Sequence, residues 1–469
     1  MIFRQFIHDD LGCASYLIGD ENAGVAAVCD TRLAIEEYVG GGRYVGVQLE
    51  HVLETHNHAD HVSGHARLRA ATGATIHVHR EADARYEHDA FDDGWELELG
   101  TVRVRALHTP GHRPEHTAFL LIDTARGYEP WAVLTGDTLF VGDIARPDLA
   151  VDKEEGARGI FHSLHDRLLA LPPETEVWPG HLGGSMCGGP GMDMKTSSTL
   201  GYERRHNELL GEEDEERFVE RVVGSLGPQP PNFKRIVEIN RGAEGGVART
   251  PEPLSPRQVE ERRRAGALLV DVRTHEQFDD AHVPDSICVS ALHAGFGTKL
   301  AWVGADADEI VFVGRDDEDA RVAAGLAGAI GLTVPSGYLS GGMTSWRLEH
   351  RDVARIARVD PDGLHERREA DPDVQILDVR EESEWRQRRI PGSVHLPYHD
   401  VDQIPDGLDP DRPIAVICES GQRSSVAASL IQRLGGRDVL HVVDGGVGSW
   451  ARAGHPIDSA PLSSASASA

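Results

Sequence analysis

The 469-residue chain has no apolar run of 18 or more residues, which excludes a hydrophobic membrane-spanning helix. Its opening, Met1-Ile-Phe-Arg-Gln-Phe-Ile-His-Asp-Asp10, puts acids where a secretory signal needs an apolar centre. A cytoplasmic protein without a membrane partner is therefore expected. Cysteine is scarce: Cys13, Cys29, Cys187, Cys288 and Cys418 are odd in number, widely spread and never spaced C-x-x-C. That argues against a disulfide framework and a structural zinc knuckle, and leaves room for one or two reactive thiols. Lysine is nearly missing, with four among 47 basic residues, a bias without functional message. Positive charge is outweighed altogether: the net charge of -30 repels phosphate backbones and argues against a nucleic-acid partner.

What is present is ordinary globular composition, 40% hydrophobic, long enough for about three domains. Before residue 250, strand-like runs alternate with Gly- and Asp-rich turns: Ala27-Val-Cys, Tyr44-Val-Gly-Val, Thr75-Ile-His-Val, Val102-Arg-Val and Trp131-Ala-Val-Leu. A helical stretch runs from Gly159 to Ala170, so layered α/β structure is expected. Residues 243–256 read as a linker and the Ser/Ala-rich 459–469 as a disordered tail.

An internal repeat follows. Leu269-Val-Asp-Val-Arg273 matches Ile376-Leu-Asp-Val-Arg380, and Val283-Pro-Asp-Ser-Ile287 matches Ile390-Pro-Gly-Ser-Val394, both at an offset of 107. Gly341-Gly-Met-Thr-Ser-Trp346 matches Gly445-Gly-Val-Gly-Ser-Trp450 at 104, so one net three-residue gap aligns the copies. Each copy is of normal domain size and alternates strand with helix, which predicts a small parallel sheet. The expected domains are 1–242, 254–350 and 361–458.

Thr55-His-Asn-His-Ala-Asp-His61 sets three imidazoles and a carboxylate within six residues, after the apolar Val45-Gly-Val-Gln-Leu49. Further candidate ligands close apolar runs at Gly turns: His112 in Thr109-Pro-Gly-His, Asp137 in Leu134-Thr-Gly-Asp and His181 in Trp178-Pro-Gly-His. Strand ends of this kind deliver side chains into a shared cleft. H-x-H-x-D-H with separate His, Asp and His resembles the metallo-β-lactamase superfamily over about residues 1–240. The resemblance implies an αββα sandwich with metal at one sheet edge.

Three flanking segments, Thr135 to Asp148, Pro179 to Gly188 and Ser198 to Asn207, look like the persulfide dioxygenase branch of that superfamily. Carried over by position, the resemblance implies one iron(II) on His56, His112 and Asp137. A face of two His and one carboxylate leaves positions for a substrate sulfur and dioxygen. His58, Asp60, His61 and His181 complete a dinuclear hydrolase set, however. Zinc thioesterase chemistry of the glyoxalase II type therefore stays open. Arg146 is either a fork for the carboxylate of a thiol substrate or an ion-pair partner of Asp143 or Asp148. Cys187, near His181, is either a sulfur acceptor at the metal site or a packing cysteine. Cys13, Cys29 and Cys288 read as core.

In the second copy, Ile414-Ala-Val-Ile-Cys418-Glu-Ser-Gly-Gln-Arg423-Ser-Ser reads as a buried strand, a loop and a helix that Ser424 or Ser425 caps. Loop amides and the helix N-terminus directed at the sulfur would favour a thiolate, and Arg423 would add a charge for sulfite or thiosulfate. With Asp378-Val-Arg and Arg389-Ile-Pro-Gly-Ser-Val, this resembles the rhodanese sulfurtransferases, which implies a persulfide on Cys418. Protein tyrosine phosphatases space Cys and Arg by five residues; four stand between Cys418 and Arg423, which fits sulfur. In the first copy Gly314 aligns with Cys418 and the loop is acidic, from Asp316 to Asp319, so a contact role without persulfide is expected.

The whole order resembles bacterial persulfide dioxygenase–rhodanese fusions. That resemblance implies oxidation of a low-molecular-weight persulfide (of glutathione, coenzyme A, another small thiol or cysteine) by O2 to sulfite, sulfur transfer to give thiosulfate, and a homo-oligomer. A thioester hydrolase with an appended sulfurtransferase, and a sulfur carrier without turnover, are the alternatives.

Overall fold

The computed structural model describes residues 1–189, 191–242, 250–332 and 335–459. Most of the expected tail, 460–469, lies outside the described residues, as does 243–249 of the expected linker. The chain falls into two compact units, Met1–Ala248 with Ala327–Thr333, and Arg249–Leu326 with Val334–Ala469. Among the described residues no helix is long and apolar enough to cross a membrane.

The first unit contains two six-stranded sheets. One runs in chain order through Ile2–His8, Cys13–Asp20, Val25–Cys29, Gln48–Leu53, Thr75–His79 and Asp89–Phe91. The other orders Ser198–Thr199, Glu176–Pro179, Ala132–Gly136, Thr117–Asp123, Val102–His108 and Glu96–Leu99. Tyr16, Ile18, Ala27 and Leu53 of the first pack against Val104, Ala106, Phe119 and Leu134 of the second, so the sheets meet face to face. The far face of the first sheet buries Leu17, Val28 and Val52 against Tyr38 and Leu68 of helices Glu36–Val45 and His65–Thr72. The far face of the second buries Leu120 and Val133 against Ile160 and Phe218 of helices Lys153–His162 and Glu215–Gly224. Four layers, helix–sheet–sheet–helix, result.

Two local expectations are corrected. Tyr44-Val-Gly-Val is not a strand: Tyr44 and Val45 end a helix, Gly46 stops it at φ 77°, and the strand begins at Gln48. The Gly40-Gly-Gly run does not break that helix, because Tyr38 and Gly42 are buried against the sheet. The second half of the expected linker is also structured. Glu252–Leu254 is an edge strand, and Ser255 with Gln258 forms a capping box for helix Pro256–Arg264.

The second unit holds two five-stranded sheets in which every pairing is parallel. One orders Glu252–Leu254, Pro335–Leu339, Ile310–Val313, Leu268–Asp271 and Ile287–Cys288. The other repeats that order with Ala357–Val359, Val439–Val442, Ile414–Ile417, Gln375–Asp378 and Val394–His395. The repeated motifs have the same duties in both. Arg273 forks onto Asp271 and bonds the Ala281 carbonyl; Arg380 forks onto Asp378 and bonds the Arg388 carbonyl. Trp346 and Trp450 are each 1% exposed, and their indole N–H groups donate to the carbonyls of Asp352 and Pro456. Truncating either to Ala would cost about 3–5 kcal/mol.

Candidate functional sites

In the first unit the candidate ligands follow strand ends: His56 after Gln48–Leu53, His112 after Val102–His108, Asp137 after Ala132–Gly136 and His181 after Glu176–Pro179. Gly136 lets strand Ala132–Gly136 turn at φ 47°; a Cβ there would meet His116 Nε2 at 2.7 Å and Thr55 Cβ at 2.9 Å. All are buried.

His56, His112 and Asp137 each offer one ligand atom, and the three atoms lie within 4.8 Å of one another. His56 Nε2, His112 Nε2 and Asp137 Oδ2 have no hydrogen-bond partner among the described residues. Three orphaned polar atoms converging in the buried interior need a common partner, and imidazole and carboxylate donors suit a divalent metal. Their other atoms are held. His112 Nδ1 donates to the Arg146 carbonyl at 2.9 Å, which leaves Nε2 as the lone pair. His56 Nδ1 lies 2.9 Å from the Thr55 hydroxyl, which itself donates to Asp30. Burial, then the His58 and His112 rings, pushes His56 well below the ordinary imidazole range. Burial outweighs the Asp137 charge at His112 and lowers it too. Both rings are thus neutral, as ligation requires.

The remaining candidates are arranged differently. His181 bridges two carboxylates, with Nδ1 2.7 Å from Asp137 Oδ1 and Nε2 2.8 Å from Asp60 Oδ2. Burial opposes its charge, but Asp137 and Asp60 raise it well above the ordinary range. His58 points to Asp30 and Glu54, 3.3 and 3.8 Å away, and these three form a second group. Asp30 and Glu54 lay in no motif; the signal for Asp30 is a polar residue at φ 54° closing strand Val25–Cys29. Cys13, expected in the core, is buried, but its sulfur groups within 4.8 Å with ligand atoms of Asp60, His61 and His181. His116, also missed, accepts from the Asp137 N–H at 2.9 Å.

Arg146 is engaged in the ion pair. Its fork closes on Asp148 at 2.7 and 2.9 Å, a further N–H reaches the Gly227 carbonyl at 2.9 Å, and it is 5% exposed. Of the two expected duties the structure shows the ion pair, with Asp148, and the remaining donors of Arg146 meet the carbonyls of Met186, Gly227 and Pro228. Cys187 is fully buried, its sulfur within 4.8 Å of ligand atoms of Asp137 and His181. Burial, then the Asp60 and Asp137 charges, raises its thiol well above the ordinary range, so the proton stays on. A cavity of about 530 Å³ lined by Ala59, Arg113, Glu115, Phe233, Lys234 and Arg241 opens beside the metal loop.

In the second unit Cys418 follows strand Ile414–Ile417 and is 1% exposed. The Gly421 N–H points at its sulfur at 3.1 Å, and the Ser424 hydroxyl lies 3.3 Å away. The expected serine cap is corrected: Gly421 at φ 89° is the cap of helix Gln422–Arg433, so Ser424 turns to the sulfur and Ser425 to the Gln422 carbonyl. Arg423 is held by Glu384, with Nη2 at 2.8 Å, so its charge is shared with that carboxylate. Gly314 follows strand Ile310–Val313 as Cys418 follows its own, and Asp319 there pairs with Arg315.

The metallo-beta-lactamase superfamily model matches residues 9–181, and the rhodanese-like domain model matches 255–349 and 360–453. The chain joins one metallo-β-lactamase-superfamily domain to two rhodanese-like domains. A metallo-beta-lactamase structure from Staphylococcus aureus is 29% identical, with a TM-score of 0.65, covering 72% of this chain and 98% of that one. A hydroxyacylglutathione hydrolase of Methylococcus capsulatus is 37% identical over 172 residues, which span 35% of this chain and 60% of that protein. A mitochondrial persulfide dioxygenase of Homo sapiens is 25% identical over 244 residues, 51% of this chain and 87% of that protein. The metallo-β-lactamase-superfamily domain therefore has relatives of both chemistries left open by its motifs.

Proposed function

We propose that the first domain oxidises a low-molecular-weight persulfide with O2 to sulfite, and that the last domain transfers persulfide sulfur from Cys418 to sulfite, giving thiosulfate. The observation that carries this reading is the orphaned trio His56 Nε2, His112 Nε2 and Asp137 Oδ2, whereas both nitrogens of His181 are taken up by Asp137 and Asp60; the unpartnered nitrogens of His58 and His61 belong to the neighbouring groups. Such a trio suits a single iron(II). When bound, the metal would supply the electronic chemistry of dioxygen activation and adjacent positions for sulfur and O2.

The chain's own residues do the rest. The Arg146 carbonyl and Thr55 hydroxyl orient the two imidazoles. His181 holds Asp137 by its second oxygen, so Asp137 Oδ2 stays free for the metal. Buried walls exclude water that would compete for the site. Overall, RSSH, O2 and H2O become RSH and H2SO3. In the second step the Cys418 thiolate takes the outer sulfur of another RSSH, releasing RSH, and sulfite then takes that sulfur from Cys418–S–S⁻; the S–S bond breaks and the thiolate of Cys418 is regenerated with thiosulfate. The Gly421 N–H at the sulfur stabilises that leaving thiolate.

A second reading, a zinc thioester hydrolase, is supported by the Cys13, Asp60, His61 and His181 group, which supplies donors for a second metal. The test is oxygen consumption by anaerobically purified full-length protein loaded with iron(II) or with zinc. Glutathione persulfide is expected to drive O2 uptake and sulfite release with iron and none with zinc. Absence of uptake with any persulfide by the iron-loaded protein, together with hydrolysis of S-lactoylglutathione by the zinc form, overturns the dioxygenase reading.

A further inference from the structure

The cysteine-less copy holds an unexplained buried acid. Asp279, on helix His275–Asp280 of that copy, is 2% exposed, and its Oδ2 lies 2.8 Å from Nδ1 of His441. His441 belongs to strand Val439–Val442 of the other copy and is fully buried. Its Nε2 lies 3.0 Å from the Gly421 carbonyl and 3.2 Å from the Ser424 hydroxyl. Ser424 Oγ is in turn 3.3 Å from Cys418 Sγ. A continuous buried chain therefore runs Asp279–His441–Ser424–Cys418.

The directions of these bonds follow from the groups. Nδ1 faces a carboxylate and Nε2 faces a carbonyl oxygen, neither of which donates. Asp279 therefore fixes the ring from one side, and the ring's other nitrogen braces the loop from the other. Ser424 can then accept from Nε2 and turn its own proton to sulfur. Gly421, fixed by its carbonyl, presents its N–H to the same sulfur. The copy grips the helix after the loop as well. The Cys288 N–H donates to Ser429 Oγ at 3.0 Å, His282 Nε2 meets Gln432 Oε1 at 2.8 Å, and Arg433 donates to the Asp285 carbonyl at 3.0 Å.

We propose that the cysteine-less copy is a working part of the sulfurtransferase site, with Asp279 a positioning residue that aims the Ser424 hydroxyl and the Gly421 N–H at Cys418 through His441. This rests on the reading that Cys418 carries the transferred sulfur. Without Asp279 the ring loses its anchor, and both groups at the sulfur lose their support. Asp279 and His441 are buried, so the loss is expected on turnover rather than on KM.

The test uses full-length Asp279→Asn, with thiosulfate as sulfur donor and cyanide as acceptor, alongside the alkylation rate of Cys418 by iodoacetamide. Losing one charge-assisted hydrogen bond is expected to lower kcat at least about tenfold. KM for thiosulfate should change less than about twofold, and alkylation should slow in parallel. His441→Gln should give a similar loss, and the double variant little more than either single one. A folded Asp279→Asn protein with unchanged kcat overturns the inference, as do additive losses in the double variant. Should Asp279→Asn fail to fold, Ser424→Ala, which removes only the last link, is expected to show the same kcat loss; full activity there overturns the inference equally. Cys418→Ser separates the two levels: if it still transfers sulfur, the underlying reading is wrong, whereas if it is inactive while Asp279→Asn is fully active, only the positioning role fails.

Discussion

Replacing Arg146 by Met separates a structural ion pair from a substrate-binding fork. The change keeps side-chain bulk but leaves Asp148 without its bidentate partner and the Gly227 carbonyl without its donor. Breaking a buried pair costs about 3–5 kcal/mol. Asp148 is 17% exposed, so water can reach it in part and the lower end, about 3 kcal/mol, applies. For a unit of this size that is a fall of about 6–12 °C in melting temperature. A second effect should accompany it. The Arg146 carbonyl accepts from His112 Nδ1, so a backbone shift there loosens a candidate ligand, and metal affinity should fall about 10–100-fold. The assay is thermal unfolding of the iron-loaded chain followed by metal release, with KM for glutathione persulfide measured below the transition. An unchanged melting temperature with a raised KM would refute the ion-pair account and restore Arg146 as a substrate ligand.

Three further predictions concern other parts of the molecule. Gly421→Ala places a Cβ at φ 89°, where its nearest neighbour is 3.9 Å away, so the cost is backbone strain of about 1–2 kcal/mol rather than a clash. The strain should pull the N–H from Cys418 and reduce thiosulfate:cyanide turnover; full turnover would show that the N–H is dispensable. Gly314→Cys in a Cys418→Ser background should not restore sulfur transfer, because a Cβ at 314 meets the Asp316 carbonyl at 2.8 Å and Asp319 Cβ at 2.8 Å in an acidic loop; recovered turnover would refute this. Burial, then the Arg32 charge, pulls His8 down to about 3, and burial, then His51, pulls His77 down to about 4. Both values lie below the unfolded imidazole's, so the unfolded chain binds more protons. Their stabilisation is full above pH about 6.5 and is lost as the pH falls through 4 and 3. Melting curves of wild type and His77→Gln should converge on acidification; a constant gap would contradict the assignment.

Much of this architecture was legible because the signals are local. The His56 to His61 cluster occupies one loop, and strands ending in Gly bring His112, Asp137 and His181 to it. The repeat was legible because Asp271/Arg273 and Trp346 perform the same hydrogen bonding as Asp378/Arg380 and Trp450. Other features depend on distant partners. Asp279 and His441 are 162 residues apart, and no spacing rule joins an acid in one copy to a ring in the next. The split between His181, locked between two carboxylates, and the orphaned trio is invisible in a motif that contains all the ligands alike. For Arg146 the sequence left both duties open, and the pairing with Asp148, two residues on, is what the fold adds. The helix ending at Val45 was hidden by its three glycines, which tertiary burial of Tyr38 and Gly42 overrides.

The most direct test of the central claim, that oxidation and sulfur transfer form one sequence, is the product made by iron-loaded full-length protein from glutathione persulfide and O2, compared with Cys418→Ser. The account predicts equal O2 uptake by both proteins, with thiosulfate from the wild type and sulfite from the variant. Thiosulfate from both, or loss of O2 uptake in the variant, would contradict it.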